Sequence, residues 1–264
     1  MFESANGTAY QLTGPDDAPV VVLIHGLGLN RHTWREHEPA MSEQYRVLNY
    51  DLFGHGESAS PPKTPSLALF ATQLRELLDE LDITRCALVG FSLGGMINRR
   101  FAMDYPQRVS ALVILNSPHE RSPEAQKLVE ERAVQSAQGG AAATIESTLE
   151  RWFTAEFRAA RPDVIDEIRA WVLSNDPVIY AQCRQVLAKG VIELIRPKPS
   201  IAAPTLVMTC ENDSGSTPAM SHGIAAEISG AQTLIVPGLQ HMGLVEKPSL
   251  FVEPVIQFLR MALG

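Results

Sequence analysis

Apolar positions in this chain alternate between two patterns. Continuous β-branched and aliphatic runs recur at 19–25, 46–51, 86–89, 111–116, 204–210 and 232–236. A strand covered on both faces in a parallel sheet needs such a run, with no polar residue on alternate positions. Between the runs the period changes. Leu67, Phe70, Ala71, Leu74, Leu77, Leu78 and Leu81 fall at spacings of three and four, so 67–81 is predicted as an amphipathic helix. Helices are also read at 33–42, 96–105, 218–228 and 248–263. Strand and helix in strict alternation imply an α/β chain with a mostly parallel, doubly wound sheet.

That rhythm stops at Ser117-Pro118-His119. No buried-strand run occurs from 122 to 195, and four helices are predicted there, at 122–138, 144–157, 162–174 and 177–188. Pro123, Pro162 and Pro177 suit first helical turns, and Gly139-Gly140 and Gly190 suit stops. So long a helical block between two sheet strands reads as an inserted cap. The expected organisation is a core of 1–118 and 196–264 with a helical cap at 119–195.

Composition changes this picture little. The 264 residues suffice for one large domain with a buried core, and 45% hydrophobic with 20% charged residues is ordinary for a globular enzyme. A formal charge of −8 without Lys/Arg clusters argues against a nucleic-acid partner. Cys86, Cys183 and Cys210 lack metal-site spacing, so neither metal nor cofactor is expected. The first residues show no basic and apolar leader, and no run reaches the ~20 residues of a membrane span. A cytoplasmic protein acting on a small molecule is the expectation, with a homodimer compatible.

The chemistry centres on Gly90-Phe91-Ser92-Leu93-Gly94-Gly95, between a strand and a helix. In that setting Gly-x-Ser-x-Gly puts a serine at the tip of a sharp turn, with φ above zero expected and no room for bulk two residues away. The pattern also recurs by chance, so it needs partners. Asp213 follows the strand ending at 210, and His241 follows the strand ending at 236. The order Ser92, Asp213, His241 is the one such a sheet requires, with a base to take the hydroxyl proton and an acid to hold the base. A turn Asp is ordinarily a turn-former and a loop His a surface group, but three features at the right strand ends make coincidence the weaker reading. Glu211 is the competing acid; Asp213 lies deeper in its loop.

Two backbone amides should receive the oxyanion, those of Leu27, between Gly26 and Gly28, and of Leu93. His25 and His55 are read as braces of glycine turns, His25 bordering the pocket, and His119 stands at the cap boundary. Trp152 and Phe153, with Phe157 and Trp171, are candidates for pocket lining, helix packing being the alternative for each.

In these motifs, together with Asp51-Leu52-Phe53-Gly54-His55-Gly56-Glu57-Ser58, the chain resembles the α/β-hydrolase family over essentially its whole length. Within it, the segments 151–157, 180–184 and 241–248 are similar to those of 3-oxoadipate enol-lactonases. One departure is the proline after the acid, which stands five residues on at Pro218 where the family often has it four on. The resemblance implies a cofactor-independent serine hydrolase of a carboxylic ester or lactone. A substrate like that of the enol-lactonases would carry a carboxylate. The anionic chain offers no obvious clamp for it; Arg121, Arg151 and Arg184 are the cap candidates, but the favoured reading of each is a solvated helix residue. A C–C bond hydrolase, a perhydrolase or haloperoxidase, and a non-catalytic small-molecule receptor remain alternatives on the same pattern.

Overall fold

The computed structural model describes residues 2–264, the side chains of 135–139 excepted. The strands are β1 (Phe2–Glu3), β2 (Ala9–Thr13), β3 (Val20–Ile24), β4 (Arg46–Tyr50), β5 (Cys86–Phe91), β6 (Val109–Leu115), β7 (Thr205–Cys210) and β8 (Gln232–Val236). They form one sheet in the order β1-β2-β4-β3-β5-β6-β7-β8, with β1/β2 and β2/β4 antiparallel and every other pair parallel. The six apolar runs are the six parallel strands. β5 is buried at every position, as covering on both faces requires. β1 and β2 add an antiparallel edge that hydrophobic patterning does not announce.

Strand order reverses about β3, since β4 lies on one side of it and β5 on the other. Right-handed crossovers then put the helix Glu38–Ser42 on one face and Leu67–Glu80 and Leu93–Asp104 on the other. The two latter helices pack together, and Ser249–Leu263 meets Glu38–Ser42, which fits that division. At a reversal of this kind the loops leaving adjacent strands part and open a crevice at the carboxyl edge. Here those loops follow Ile24 and Phe91; Ile24 is in register with Gly90.

Between β6 and β7 the chain forms the helices Pro123–Gly139, Ile145–Trp152, Ala155–Ala160, Pro162–Ser174 and Pro177–Lys189. The stretch 144–157, predicted as one helix, is two. Phe153 is extended, and Thr154 starts a second helix by accepting a hydrogen bond from the Phe157 amide. The region 33–42 likewise divides, into a 3-10 turn Arg31–Trp34 and the helix Glu38–Ser42. No helix of the described residues is long and apolar enough to cross a membrane.

Buried imidazoles lie in this core, among them His37 and His55. His37 donates from Nε2 to the Leu244 carbonyl at 2.9 Å, and His55 donates from Nδ1 to the Phe53 carbonyl at 3.1 Å. Burial pushes His37 down to about 4; burial and the nearby His25 push His55 down to about 3. Folded, both stay neutral, whereas the unfolded chain takes up these protons near pH 6.5. Their contribution is complete above that pH and is lost as pH falls toward the folded values. From pH 7.5 to 5 the two together should cost about 4 kcal/mol of stability. The urea midpoint should fall accordingly, and His37→Gln should make the fall shallower. An unchanged wild-type midpoint would contradict neutral burial.

Candidate active site

Ser92 sits where β5 turns into the helix Leu93–Asp104, at φ 56° and ψ −113°. The turn is possible because its flanks carry no side chains. A Cβ on Gly90 would lie 2.2 Å from the Gly94 carbonyl oxygen, and one on Gly94 would lie 2.1 Å from that of Ile24. Backbone hydrogen bonds fix it further: the Ser92 amide donates to Leu115 O at 2.8 Å, and the Ser117 hydroxyl donates to Ser92 O at 2.9 Å.

The hydroxyl of Ser92 lies 3.2 Å from His241 Nε2, and His241 Nδ1 donates to Asp213 Oδ2 at 2.7 Å. All three residues are buried. Three residues separated by as much as 149 positions in the chain therefore form one chain of hydrogen bonds at the carboxyl edge. Residues 19–248 match the family model described as alpha/beta hydrolase fold. The chain belongs to the alpha/beta hydrolase fold family.

Among members of that family, a protein of Klebsiella pneumoniae (strain 342) named as the carbamate hydrolase RutD is 34% identical over 83% of each chain. The 3-oxoadipate enol-lactonase 2 of Acinetobacter baylyi is 27% identical over 93% of this chain and 90% of its own. The crystal structure of the enol-lactonase from Burkholderia xenovorans LB400 superposes with a TM-score of 0.88 at 28% identity, covering 96% of both chains.

In this alpha/beta hydrolase the acid loop closes on Asp213. Oδ1 accepts the Gly215 and Ser216 amides at 2.8 and 2.9 Å, and Oδ2 accepts Asn116 Nδ2 at 2.9 Å besides His241. Burial alone would raise the carboxyl pKa. The His241 ring, the Asn116 amide and the Ser216 amide outweigh it and hold the group below the ordinary carboxylate value. The carboxylate is thus charged and aimed, although Pro218 stands one position later than is usual in the family. Glu211 is elsewhere: exposed, it accepts the Gly238 amide at 2.9 Å. Asn116 escaped sequence reading. It ends a buried run, and only its positive φ of 45° and the pairing of β6 with β7 turn it toward Asp213.

A cavity of about 190 Å³ opens over Ser92, lined among others by Gly26, Leu27, Trp152, Met220 and His241. A Cβ built on Gly26 would lie 3.2 Å from that of Ser92, so the first loop passes directly beside the hydroxyl. Neither the Leu27 nor the Leu93 amide finds an acceptor among the described residues.

Two expected pocket residues lie elsewhere. His25 is fully buried behind the loop, with Nδ1 donating to Gly26 O at 2.8 Å and Nε2 accepting the Leu52 amide at 3.0 Å. Phe153 is also fully buried and stacks on Phe157 at 5.5 Å, because the extended break turns it away from the cavity that its neighbour Trp152 borders. His119 is turned to Glu227, 3.4 Å away. Conversely Arg121, Arg151 and Arg184, read in the sequence rather as solvated helix residues, border the cavity together with Arg132.

The helical block is fastened to the histidine loop at two points. The Met242 amide donates to Trp152 O at 2.8 Å. Thr154 donates from its amide and hydroxyl to the two oxygens of buried Glu246 at 2.8 and 2.7 Å. The Trp152 ring is thereby held 5.9 Å from the His241 ring, with Phe91 at 5.0 Å from the same imidazole. Glu246→Ala leaves the Thr154 amide and hydroxyl without their acceptor and should cost about 2–3 kcal/mol by urea denaturation. A loss below about 0.5 kcal/mol would show that the latch contributes nothing.

Proposed function

We propose that the protein is a serine hydrolase of carboxylic esters or lactones, with Ser92 as nucleophile, His241 as general base and acid, and Asp213 as the group that orients the imidazole. The observation that carries this reading is the unbroken Ser92–His241–Asp213 hydrogen-bond chain facing a cavity. His241 Nε2 takes the hydroxyl proton as Ser92 Oγ attacks the acyl carbon. The free amides of Leu27 and Leu93 receive the oxyanion, and the positive end of the helix Leu93–Asp104 adds to the field there. The same imidazole returns the proton to the leaving oxygen, then draws one from the water that releases the acid. Asp213 stays ionised throughout, and its carboxylate, hydrogen-bonded to Nδ1, stabilises the charge the imidazole carries between these transfers. The inserted block 119–195 acts as a lid, and Trp152 shields the imidazole from bulk water.

Likeness to proteins named as a carbamate hydrolase and as enol-lactonases supports attack at an acyl carbon. The likeness to the enol-lactonases favours a lactone or other carboxylic ester.

A panel of short p-nitrophenyl esters, γ- and δ-lactones and an enol-lactone, each with a Ser92→Ala control, tests the reading. Asp213→Asn should lower kcat by about 10⁴ through loss of the imidazole tautomer, with little effect on KM. Hydrolysis unaffected by Ser92→Ala would overturn the assignment.

A further inference from the structure

Arg99 is a buried cation on the helix Leu93–Asp104, behind the turn that carries Ser92. A guanidinium taken out of water is ordinarily matched by a hydrogen-bonded carboxylate. The acceptors of Arg99 are instead three neutral oxygens. Nε donates to Gly95 O at 2.9 Å, and Nη2 donates to Pro118 O at 2.7 Å and to the Ser117 hydroxyl at 3.2 Å. Burial pushes its pKa down to about 9, with the charge of Glu227 opposing, so the group stays charged at neutral pH. The contacts it makes all lie around the nucleophile turn.

Those contacts leave the Ser117 proton one direction. A guanidinium only donates, so the hydroxyl accepts from Arg99; a carbonyl only accepts, so the same hydroxyl donates to Ser92 O at 2.9 Å. Accepting from a cation strengthens that donation. Ser92 O and the Leu93 N–H share one trans peptide plane and point in opposite directions. Holding the carbonyl therefore aims the amide, and a hydrogen bond to the carbonyl polarises the amide into a better donor. The helix alone holds this peptide less firmly. Ser92 O also accepts the Gly95 and Met96 amides at 3.0 and 3.3 Å, but in a first turn softened by two glycines. Gly95 is required there, since a Cβ on it would lie 2.6 Å from that of Ser117. The bond from Arg99 to Gly95 O fastens the same turn.

We propose that Ser117 and Arg99 are positioning residues for the oxyanion: acting through the Ser92 carbonyl, they aim and polarise the Leu93 amide toward the developing negative charge. The proposal rests on the reading of Ser92 as nucleophile. Neither side chain touches substrate or moves a proton. Their effect falls on the transition state, where the acyl oxygen carries charge, and spares the ground state.

The test measures p-nitrophenyl butyrate hydrolysis and the rate of fluorophosphonate labelling at Ser92. Ser117→Ala should lower kcat by about tenfold to thirtyfold with KM within about twofold. The loss is smaller than for a deleted oxyanion donor because the Leu93 amide remains. Labelling should slow by a similar factor. Ser117→Thr, which keeps the hydroxyl, should hold kcat within about threefold of wild type. Arg99→Met should lose about as much as Ser117→Ala. Because one side chain acts through the other, the double variant should lose little more than the worse single; independent damage would multiply to about a hundredfold or more. The midpoint of the kcat/KM pH profile should stay in place throughout, since the contact of His241 with Asp213 is untouched. Thr205→Val removes an equally buried hydroxyl, bonded to Ala203 O at 2.8 Å, and should leave kcat within about twofold.

If Arg99→Met does not fold, Ser117→Ala and Ser117→Thr decide the matter. A kcat within about twofold of wild type in Ser117→Ala, a loss that falls on KM, or losses that multiply in the double variant would each overturn the positioning role. A wild-type chain that neither hydrolyses the ester nor takes the label at Ser92 would instead overturn the nucleophile reading, and the proposal with it.

Discussion

Ser92 holds a backbone conformation, φ 56° with ψ −113°, that a residue with a side chain adopts only when its surroundings leave no alternative. The surroundings here are the parallel sheet and the helix that must start against it. Such strain costs on the order of 1–3 kcal/mol and persists only where neighbouring contacts over-determine it. Those contacts are the Leu115 carbonyl on one side, the Ser117 hydroxyl on the other, and glycines at 90 and 94 that let backbone pass within touching distance. The strain lifts the hydroxyl off the sheet edge into the crevice where strand order reverses. A relaxed turn would leave it in the plane of β5, out of reach of any residue following β7 or β8.

The other members of the site arrive on segments that the sheet spaces but does not itself orient. Orientation comes from buried polar pairs. Asn116 and two loop amides aim the Asp213 carboxylate, which in turn fixes the His241 tautomer. Met242 and Glu246, one and five residues beyond His241, bind the Trp152–Thr154 break of the helical block. The helical block and the imidazole thereby meet through one short stretch of chain. A shift of the helical block must pass to the ring through Trp152 or break the Glu246 contacts, so the covering of the cavity and the orientation of the imidazole are linked.

How much of this was legible in the sequence depended on whether the cause was local. The inner parallel strands announced themselves because two-sided burial demands uninterrupted apolar runs, and the serine turn because its steric demand falls on residues two positions away. β1 and β2 did not: they pair at an edge, with Phe2 and Glu3 exposed and β2 only half covered, so their side chains carry little pattern. The break at Phe153–Thr154 was invisible because its cause, Glu246, is 92 residues away. Asn116 shares that obscurity, as does the choice, for each cap arginine, between solvent and cavity. Which face of a helix meets the cavity is decided by how the block docks, and no local spacing records that.

The most direct measurement is intact-mass and peptide mass spectrometry after treatment with a fluorophosphonate, which reacts with a serine only when an adjacent base has activated it. One adduct per chain is expected, on Ser92, absent in Ser92→Ala and slowed at least about a hundredfold in His241→Gln. An unmodified protein under conditions where the fold is intact, or equal labelling without the imidazole, would contradict an activated hydroxyl at the centre of this site.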